Sequence, residues 1–257
     1  MPIAAPSATV RFIGHATVLL DLRGTRVLTD PFLRDRLGPL ERHGLVPEVA
    51  SLGRIDVVLI SHGHHDHFDR ASLAALPGRP TVIVPRGLGG AAQRVVAGDV
   101  VEVVAGQTLE VDGLRIQATP ARHWISPGAA RAAPVGYLLD AGIRAYFAGD
   151  TGRFSAMRDM AGSVDLAFLP VWTWGPHLGP GHLGPRTAAE ALADIRPRAA
   201  IPIHWGTLYP TRLHHVWRSP LAEPGDRFAA QAARTAPDVD VQVLHPGEST
   251  TIEGWTR

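Results

Sequence analysis

Residues 57–69 run Val57-Val-Leu-Ile-Ser-His-Gly-His-His-Asp-His-Phe-Asp69, a short apolar stretch that feeds directly into four histidines and two aspartates. Four consecutive apolar residues, Val57 to Ile60, are the pattern of a strand buried on both faces, so the histidines stand at a strand end. His62, His64 and Asp66 occupy alternate positions, and in an extended chain alternate side chains leave on one side and can converge on one point. Gly63 lets the backbone bend there, His67 rejoins the group if the chain turns at Asp66, and the parity of His65 faces it away. A solvent-exposed histidine loop would explain neither the buried strand before it nor the carboxylates inside it. Imidazole with carboxylate suits zinc, iron or manganese.

The composition narrows the chemistry around this stretch. The 257 residues contain no cysteine, which excludes thiolate ligands and disulfides, and no lysine, which excludes a Schiff base or a lysine general base. A formal net charge of +1 gives no single-sign field, so no nucleic-acid partner is expected. No basic, apolar leader opens the chain, and no apolar run reaches the roughly 18 residues of a membrane span, so the cytoplasm is the expected location. The length fits a single domain over residues 1–257.

Outward from residues 57–69, strands and helices are legible in both directions. Ala16–Leu22 and Thr25–Thr29 flank Arg23-Gly24 as a hairpin, and Leu109–Val111 with Leu114–Ala118, then Gly136–Leu139 with Ile143–Phe147, form two more. Asp69 caps a helix through Leu76, Thr81–Val84 is a strand, and residues 90–96 form a short helix. The last third alternates: a helix near Met157, strand Leu166–Leu169, helix Thr187–Ile195, strand Ala199–Ile203, a helix around Ala229 and strand Val239–Leu244. An α/β (α+β) fold of two sheets packed face to face with helices outside, an αββα sandwich, would bury such mixed runs; strand order stays open.

His62-x-His64-x-Asp66-His67 resembles the signature of the metallo-β-lactamase superfamily, and the resemblance implies that this segment supplies ligands to two metals. Three further positions fit the family's chain order. His123, in Pro120-Ala-Arg-His-Trp, resembles the histidine that joins His62 and His64 at the first metal. Asp150, in Phe147-Ala-Gly-Asp-Thr-Gly, resembles the aspartate that bridges both ions, and His204, in Ile201-Pro-Ile-His-Trp, resembles the last ligand of the second metal, with Asp66 and His67. Singly, each histidine could be a core residue and Asp150 a helix cap. The set exceeds what one tetrahedral ion takes, so two divalent ions are implied: Zn2+ first, Mn2+ next, iron after both.

Phe12-Ile-Gly-His15-Ala-Thr-Val-Leu-Leu, Thr29-Asp30-Pro31, Gly181-His182-Leu-Gly-Pro-Arg-Thr, His204-Trp-Gly-Thr and Pro246-Gly247-Glu248 are similar to a narrower branch, beta-lactamase superfamily domain 2. That branch contains ascorbate-6-phosphate lactonase and N-acylphosphatidylethanolamine phospholipase D. His15 and His182 are extra histidines that could stand behind a ligand or meet substrate; equally, His15 could close the first hairpin and His182 could flank the Thr187 helix. Trp124, Trp172, Trp174 and Trp205 could wall an apolar pocket or be core, and Arg122, Arg186 and Arg212 could pair with an anion or be solvated.

The resemblance implies a hydrolase in which two ions bridge a water and lower its pKa toward about 7, with Asp150 orienting the resulting hydroxide. Asp66 is expected as a ligand, in competition with general-base work. Phosphodiester, phosphoester and lactone substrates all suit this chemistry, and a small or lipid-like molecule is the expected partner; oligomeric state stays open. The alternative is an iron-binding, redox or oxygen-using member of the same fold.

Overall fold

Strand Val57–Leu59 divides its side chains between two apolar layers, and that division sets the architecture. Val57 and Leu59 pack inward with Val18, Leu20, Ile116, Tyr137 and Phe147, whereas Val58 and Ile60 face a separate cluster with Leu73 and Ala92. The computed structural model describes residues 7–125, 132–173, 178–179, 181–215 and 219–253. Along the chain come β1 (Ser7–Gly14), β2 (Thr17–Leu22), β3 (Thr25–Thr29), β4 (Arg36–Leu37), β5 (Leu40–Arg42), β6 (Val57–Leu59), α1 (Arg70–Ala75), β7 (Thr81–Pro85), α2 (Gly89–Gln93) and β8 (Val100–Val103). Then follow β9 (Thr108–Val111), β10 (Leu114–Pro120), β11 (Val135–Asp140), β12 (Arg144–Phe147), β13 (Leu166–Pro170), α3 (Pro185–Ile195), β14 (Ala199–Ile203) and β15 (Leu208–Pro210). The chain closes with α4 (Ser219–Ala222), α5 (Pro224–Thr235), β16 (Asp240–Val241) and β17 (Ser249–Glu253).

Two seven-stranded sheets result, ordered β17-β1-β2-β3-β6-β7-β8 and β16-β14-β13-β12-β11-β10-β9, with a small third sheet β15-β5-β4. In each large sheet a hairpin half is joined to a parallel half, β3-β6-β7-β8 in one and β12-β13-β14-β16 in the other. Parallel strands need covered faces. Leu73 of α1 and Ala92 of α2 supply that cover on the first sheet, and Ala188 and Leu192 of α3 with Phe228 and Ala232 of α5 supply it on the second. The four layers are those of the αββα metallo-β-lactamase fold.

Asp69 caps α1 as expected, accepting the Ser72 amide at 3.0 Å. The segment near Met157 is a 3-10 turn, Ser155–Met160, and the strand expected over 239–244 shortens to Asp240–Val241, which pair with Ala199 and Ala200 of β14. β1, β8, β17 and the small sheet are additional. β17 contributes one buried residue, Ile252, so its apolar pattern is too sparse to mark a strand locally. Among the described residues no helix is long and apolar enough to cross a membrane.

Candidate metal centre

The residue after β6 still belongs to the sheet, with the Ile60 amide donating to Ile83 O at 2.9 Å, and the chain breaks away at Ser61. It then coils rather than extends: the His67 and Phe68 amides both donate to His64 O, at 3.1 and 2.7 Å. This corrects the alternation expected from spacing. His62 and His64 go to one cluster, while the turn carries Asp66 and His67 to another. The remaining donors also follow strand ends: His15 after β1, His123 beyond β10, Asp150 beyond β12 and His204 directly after β14. His15 and His204 adopt φ of 57° and 64°, and the His204 amide donates to His15 O at 2.6 Å. Left-handed conformations at non-glycine residues cost about 1–3 kcal/mol each, and they concentrate where side-chain placement is over-determined.

In the first cluster His64 Nδ1 lies 2.9 Å from His62 Nε2 and 3.0 Å from His123 Nε2. One imidazole nitrogen cannot hydrogen-bond productively to two others whose remaining protons are engaged elsewhere. Three nitrogens around a tetrahedral zinc ion with bonds of about 2.0–2.1 Å would lie roughly 3.3 Å apart, close to this spacing. In the second cluster His67 Nε2 lies 3.1 Å from His204 Nε2, and the two stand 3.8 and 3.9 Å from Asp66 Oδ2. Asp150 reaches His67 Nε2 at 3.4 Å, His204 Nε2 at 3.3 Å and His182 Nε2 at 3.5 Å. His15 Nε2 approaches Asp66 Oδ2 at 3.0 Å. His62, His64 and His123 form one group that could hold an ion; His15, Asp66, His67 and His204 form another; Asp150 groups with His123 and His182. Asp150 Oδ1 is buried without a hydrogen-bond partner, as an oxygen facing a cation would be.

The electrostatics favour donor protonation states. Burial pushes His62 well below the usual imidazole range, with the charge on His67 adding to it, and burial lowers His64 to about 4 and also lowers His123 and His204. Burial alone would raise both carboxyls. For Asp66 the charge on His67 and the hydrogen bond from His15 outweigh it, and for Asp150 His204 and His67 do, so both end well below the usual carboxylate range. Neutral imidazoles and ionised carboxylates are the forms that bind metal. His67 is the exception: burial lowers it, but Asp150, Asp66 and Asp30 together carry it well above its usual value.

Outer partners fix several rings. His123 Nδ1 donates to Gly181 O at 3.1 Å, and His182 Nδ1 to Gly179 O at 3.1 Å. His182 therefore turns Nε2 toward Asp150, while the start of α3 is closed by Thr187 Oγ1, which accepts the Gly184 amide at 2.9 Å. Asp30 and Ser61 lie directly behind His67 and His62, at positions that no ligand spacing in the sequence marks.

Other expected residues divide. His65 is exposed, outside both clusters. Trp124 is 57% exposed beside His123, whereas Trp172 and Trp205 are core, the latter donating to Pro202 O at 3.0 Å. Trp174 and residues 126–131 lie outside the described residues. Arg186 pairs with Glu190 along α3, Arg122 lies over the Phe154 ring, and Arg212 is exposed.

Known proteins resemble this chain in sequence and in fold. A profile described as the beta-lactamase superfamily domain matches residues 25–205. A UPF0173 metal-dependent hydrolase of Deinococcus radiodurans is 34% identical over 252 residues, covering 95% of this chain and 99% of that protein. Among solved structures, the metallo hydrolase Igni18 of Ignicoccus hospitalis superposes with a TM-score of 0.72 at 22% identity, covering 96% of this chain and 99% of the other. CmlA, a diiron beta-hydroxylase of Streptomyces venezuelae, does so with a TM-score of 0.69 at 22% identity, covering 98% of this chain and 55% of CmlA. The chain belongs to the beta-lactamase superfamily domain family and is a metal-dependent hydrolase of the metallo-β-lactamase fold.

Proposed function

We propose that the enzyme holds two divalent ions, zinc or alternatively manganese, and hydrolyses a phosphoester, phosphodiester or lactone bond in a small or lipid-like substrate. The position of Asp150 carries this reading. Its carboxylate is shared between His123 and His182 on one side and His67 and His204 on the other, which suits a residue common to two ion positions. The first ion would be held by His62, His64 and His123, the second by Asp66, His67 and His204, with Asp150 reaching both. When bound, the ions supply Lewis-acid polarisation of a carbonyl or phosphoryl oxygen and lower the pKa of water to about 7.

The chain's own groups do the positioning. Asp150, ionised and buried, orients the attacking water. His15 hydrogen-bonds Asp66 Oδ2 at 3.0 Å, the oxygen that faces His67 and His204, and so fixes that carboxylate beside the second ion position. His182, whose side chain is 19% exposed, is placed to meet a substrate oxygen next to Asp150. Trp124 and Leu178, both exposed, adjoin the segments of His123 and His182 and support an apolar portion in the substrate.

The test is elemental analysis of untagged protein, with hydrolysis of bis-p-nitrophenyl phosphate and of a lactone panel by the wild type and Asp150→Ala. About two equivalents of zinc or manganese and loss of hydrolysis in the variant are expected. Iron without hydrolysis would move the assignment to a redox member of the fold, because the same donors suit iron. Absence of bound metal after reconstitution would sink the site.

A further inference from the structure

The two histidines of the second cluster that take left-handed backbone, His15 and His204, come from opposite sheets, just past the ends of β1 and β14. One backbone hydrogen bond joins them, from the His204 amide to His15 O at 2.6 Å. The His15 amide in turn donates to Thr207 Oγ1 at 2.7 Å. The proton of that hydroxyl goes to Trp205 O at 3.2 Å, which leaves its lone pairs to the His15 amide. Thr207 is wholly buried, and its carbonyl accepts the His43 amide at 2.7 Å, so the small sheet fixes it from the other side. Gly14 shows how closely these segments meet: its φ is 125°, and a Cβ there would stand 2.7 Å from Thr207 Oγ1.

His204 depends on this clasp more than the other rings depend on their backbones. His67 Nδ1 donates to Asp30 Oδ2 at 2.7 Å, His62 Nδ1 meets Ser61 Oγ at 2.9 Å, and His123 Nδ1 donates to Gly181 O at 3.1 Å. His204 Nδ1 is buried with no hydrogen-bond partner among the described residues. The tilt of its ring is therefore set by the backbone that carries it and by the His15 ring, whose centroid is 3.9 Å away. His15 also holds Asp66, through the 3.0 Å contact to Oδ2. Thr207 thereby reaches two of the three donors at the second position, and none of its hydrogen bonds runs to His62, His64 or His123.

We infer that Thr207 is a positioning residue for the second ion position alone, its hydroxyl holding His15 in the left-handed turn from which that residue steadies His204 and Asp66. This rests on the two-ion reading above. Left-handed backbone at non-glycine residues persists only where its surroundings over-determine it. Without the hydroxyl the buried His15 amide has no acceptor, and the turn is expected to relax.

The experiment compares wild type with Thr207→Val, which keeps the side-chain shape, and Thr207→Ser, which keeps the hydroxyl. Circular dichroism of each metal-free form verifies folding. Amide hydrogen exchange of the metal-free proteins is read by mass spectrometry on peptides spanning Val10–Leu20 and Ser61–Phe68. Each protein is then titrated with Zn2+ against a competing chelator, and with Co2+ to follow its absorption. In Thr207→Val the Val10–Leu20 peptide is expected to exchange faster than in wild type, with Ser61–Phe68 unchanged. One Zn2+ step is expected to weaken about 10–100-fold, with the other within about threefold, and Thr207→Ser is expected to restore both readouts. A packing role would give the opposite order, because Val fills the space of Thr and Ser leaves out a methyl group. That opposite order, equal weakening of both steps, or unchanged exchange in Thr207→Val would overturn the inference alone. A wild type that binds fewer than two ions would overturn it together with the two-ion reading. If Thr207→Val does not fold, Thr207→Ala against Thr207→Ser makes the same comparison, since both lack the methyl group and differ only in the hydroxyl.

Discussion

His15 Nε2 lies 3.0 Å from Asp66 Oδ2, although the two residues are 51 positions apart. His15 also packs against His204, with ring centroids 3.9 Å apart and the planes tilted by 45°, so one ring supports two members of the second cluster. On the two-ion reading, replacing His15 by Ala is expected to weaken the ion proposed at Asp66, His67 and His204 about 10-fold or more while leaving the first ion in place. Zinc stoichiometry after dialysis against a graded chelator series checks this; unchanged occupancy of both positions would reduce His15 to a packing residue.

Gly149 has φ of 59°, and a Cβ there would come within 2.5 Å of the Ser61 side chain. The left-handed backbone and the clash act together, so Gly149→Ala is expected to destabilise the fold by about 3 kcal/mol and to displace the neighbouring Asp150. Urea denaturation of the metal-free protein measures the first effect and metal content the second.

On the far side of the second sheet, Asp194 accepts from Arg153 Nε at 2.6 Å, Arg153 Nη2 at 3.1 Å and Arg158 Nε at 2.9 Å. The hydrogen bond from Arg153, joined by that from Arg158, outweighs burial and holds this carboxyl below its usual value. A depressed carboxyl stabilises the fold above its unfolded pKa of about 3.9, and the contribution fades as pH falls through the lower folded value. Asp194→Asn is therefore expected to cost about 1 kcal/mol at pH 6, given how open the arginines are to solvent, and the gap to wild type should close below pH 3. Chemical denaturation across pH 2–7 tests it; a gap independent of pH would contradict the assignment.

Ion binding should also register as stability. Free metal at 100 times its dissociation constant contributes about 2.7 kcal/mol per site, so chelation is expected to lower the melting temperature by about 5–10 °C per ion lost. Differential scanning calorimetry with and without chelator, on wild type and Asp150→Ala, separates this from a general effect of the chelator.

What the sequence disclosed was local. The buried run Val57–Ile60, the three hairpins with their glycine turns and the Asp69 cap are patterns of a few neighbouring residues, and they were legible for that reason. Strand order was not, because the parallel contacts of β6 with β3 and β7 depend on how far-separated segments pack. The same holds within the site. Spacing placed His62, His64 and Asp66 on one side of an extended chain, but the turn at His64–Phe68 separates Asp66 from the other two. The roles of Asp30 and of His15 depend on contacts across 37 and 51 positions, with His67 and Asp66 respectively, for which the sequence contains no period to read.

The donors are divided by sheet: His15, His62, His64, Asp66 and His67 follow strands of the first, while His123, Asp150 and His204 follow strands of the second. The chain passes from the first sheet to the second between β8 and β9 and returns only for β17, so a cut in that turn would yield two fragments, neither holding a complete set. On the two-ion reading, the metal then acts as a checkpoint on assembly, retained only when both fragments have met in the native register. On that reading a nicked enzyme would need its metal to reunite, and the intact one would register any slip between its sheets as a lost ion before it registered as exposed core.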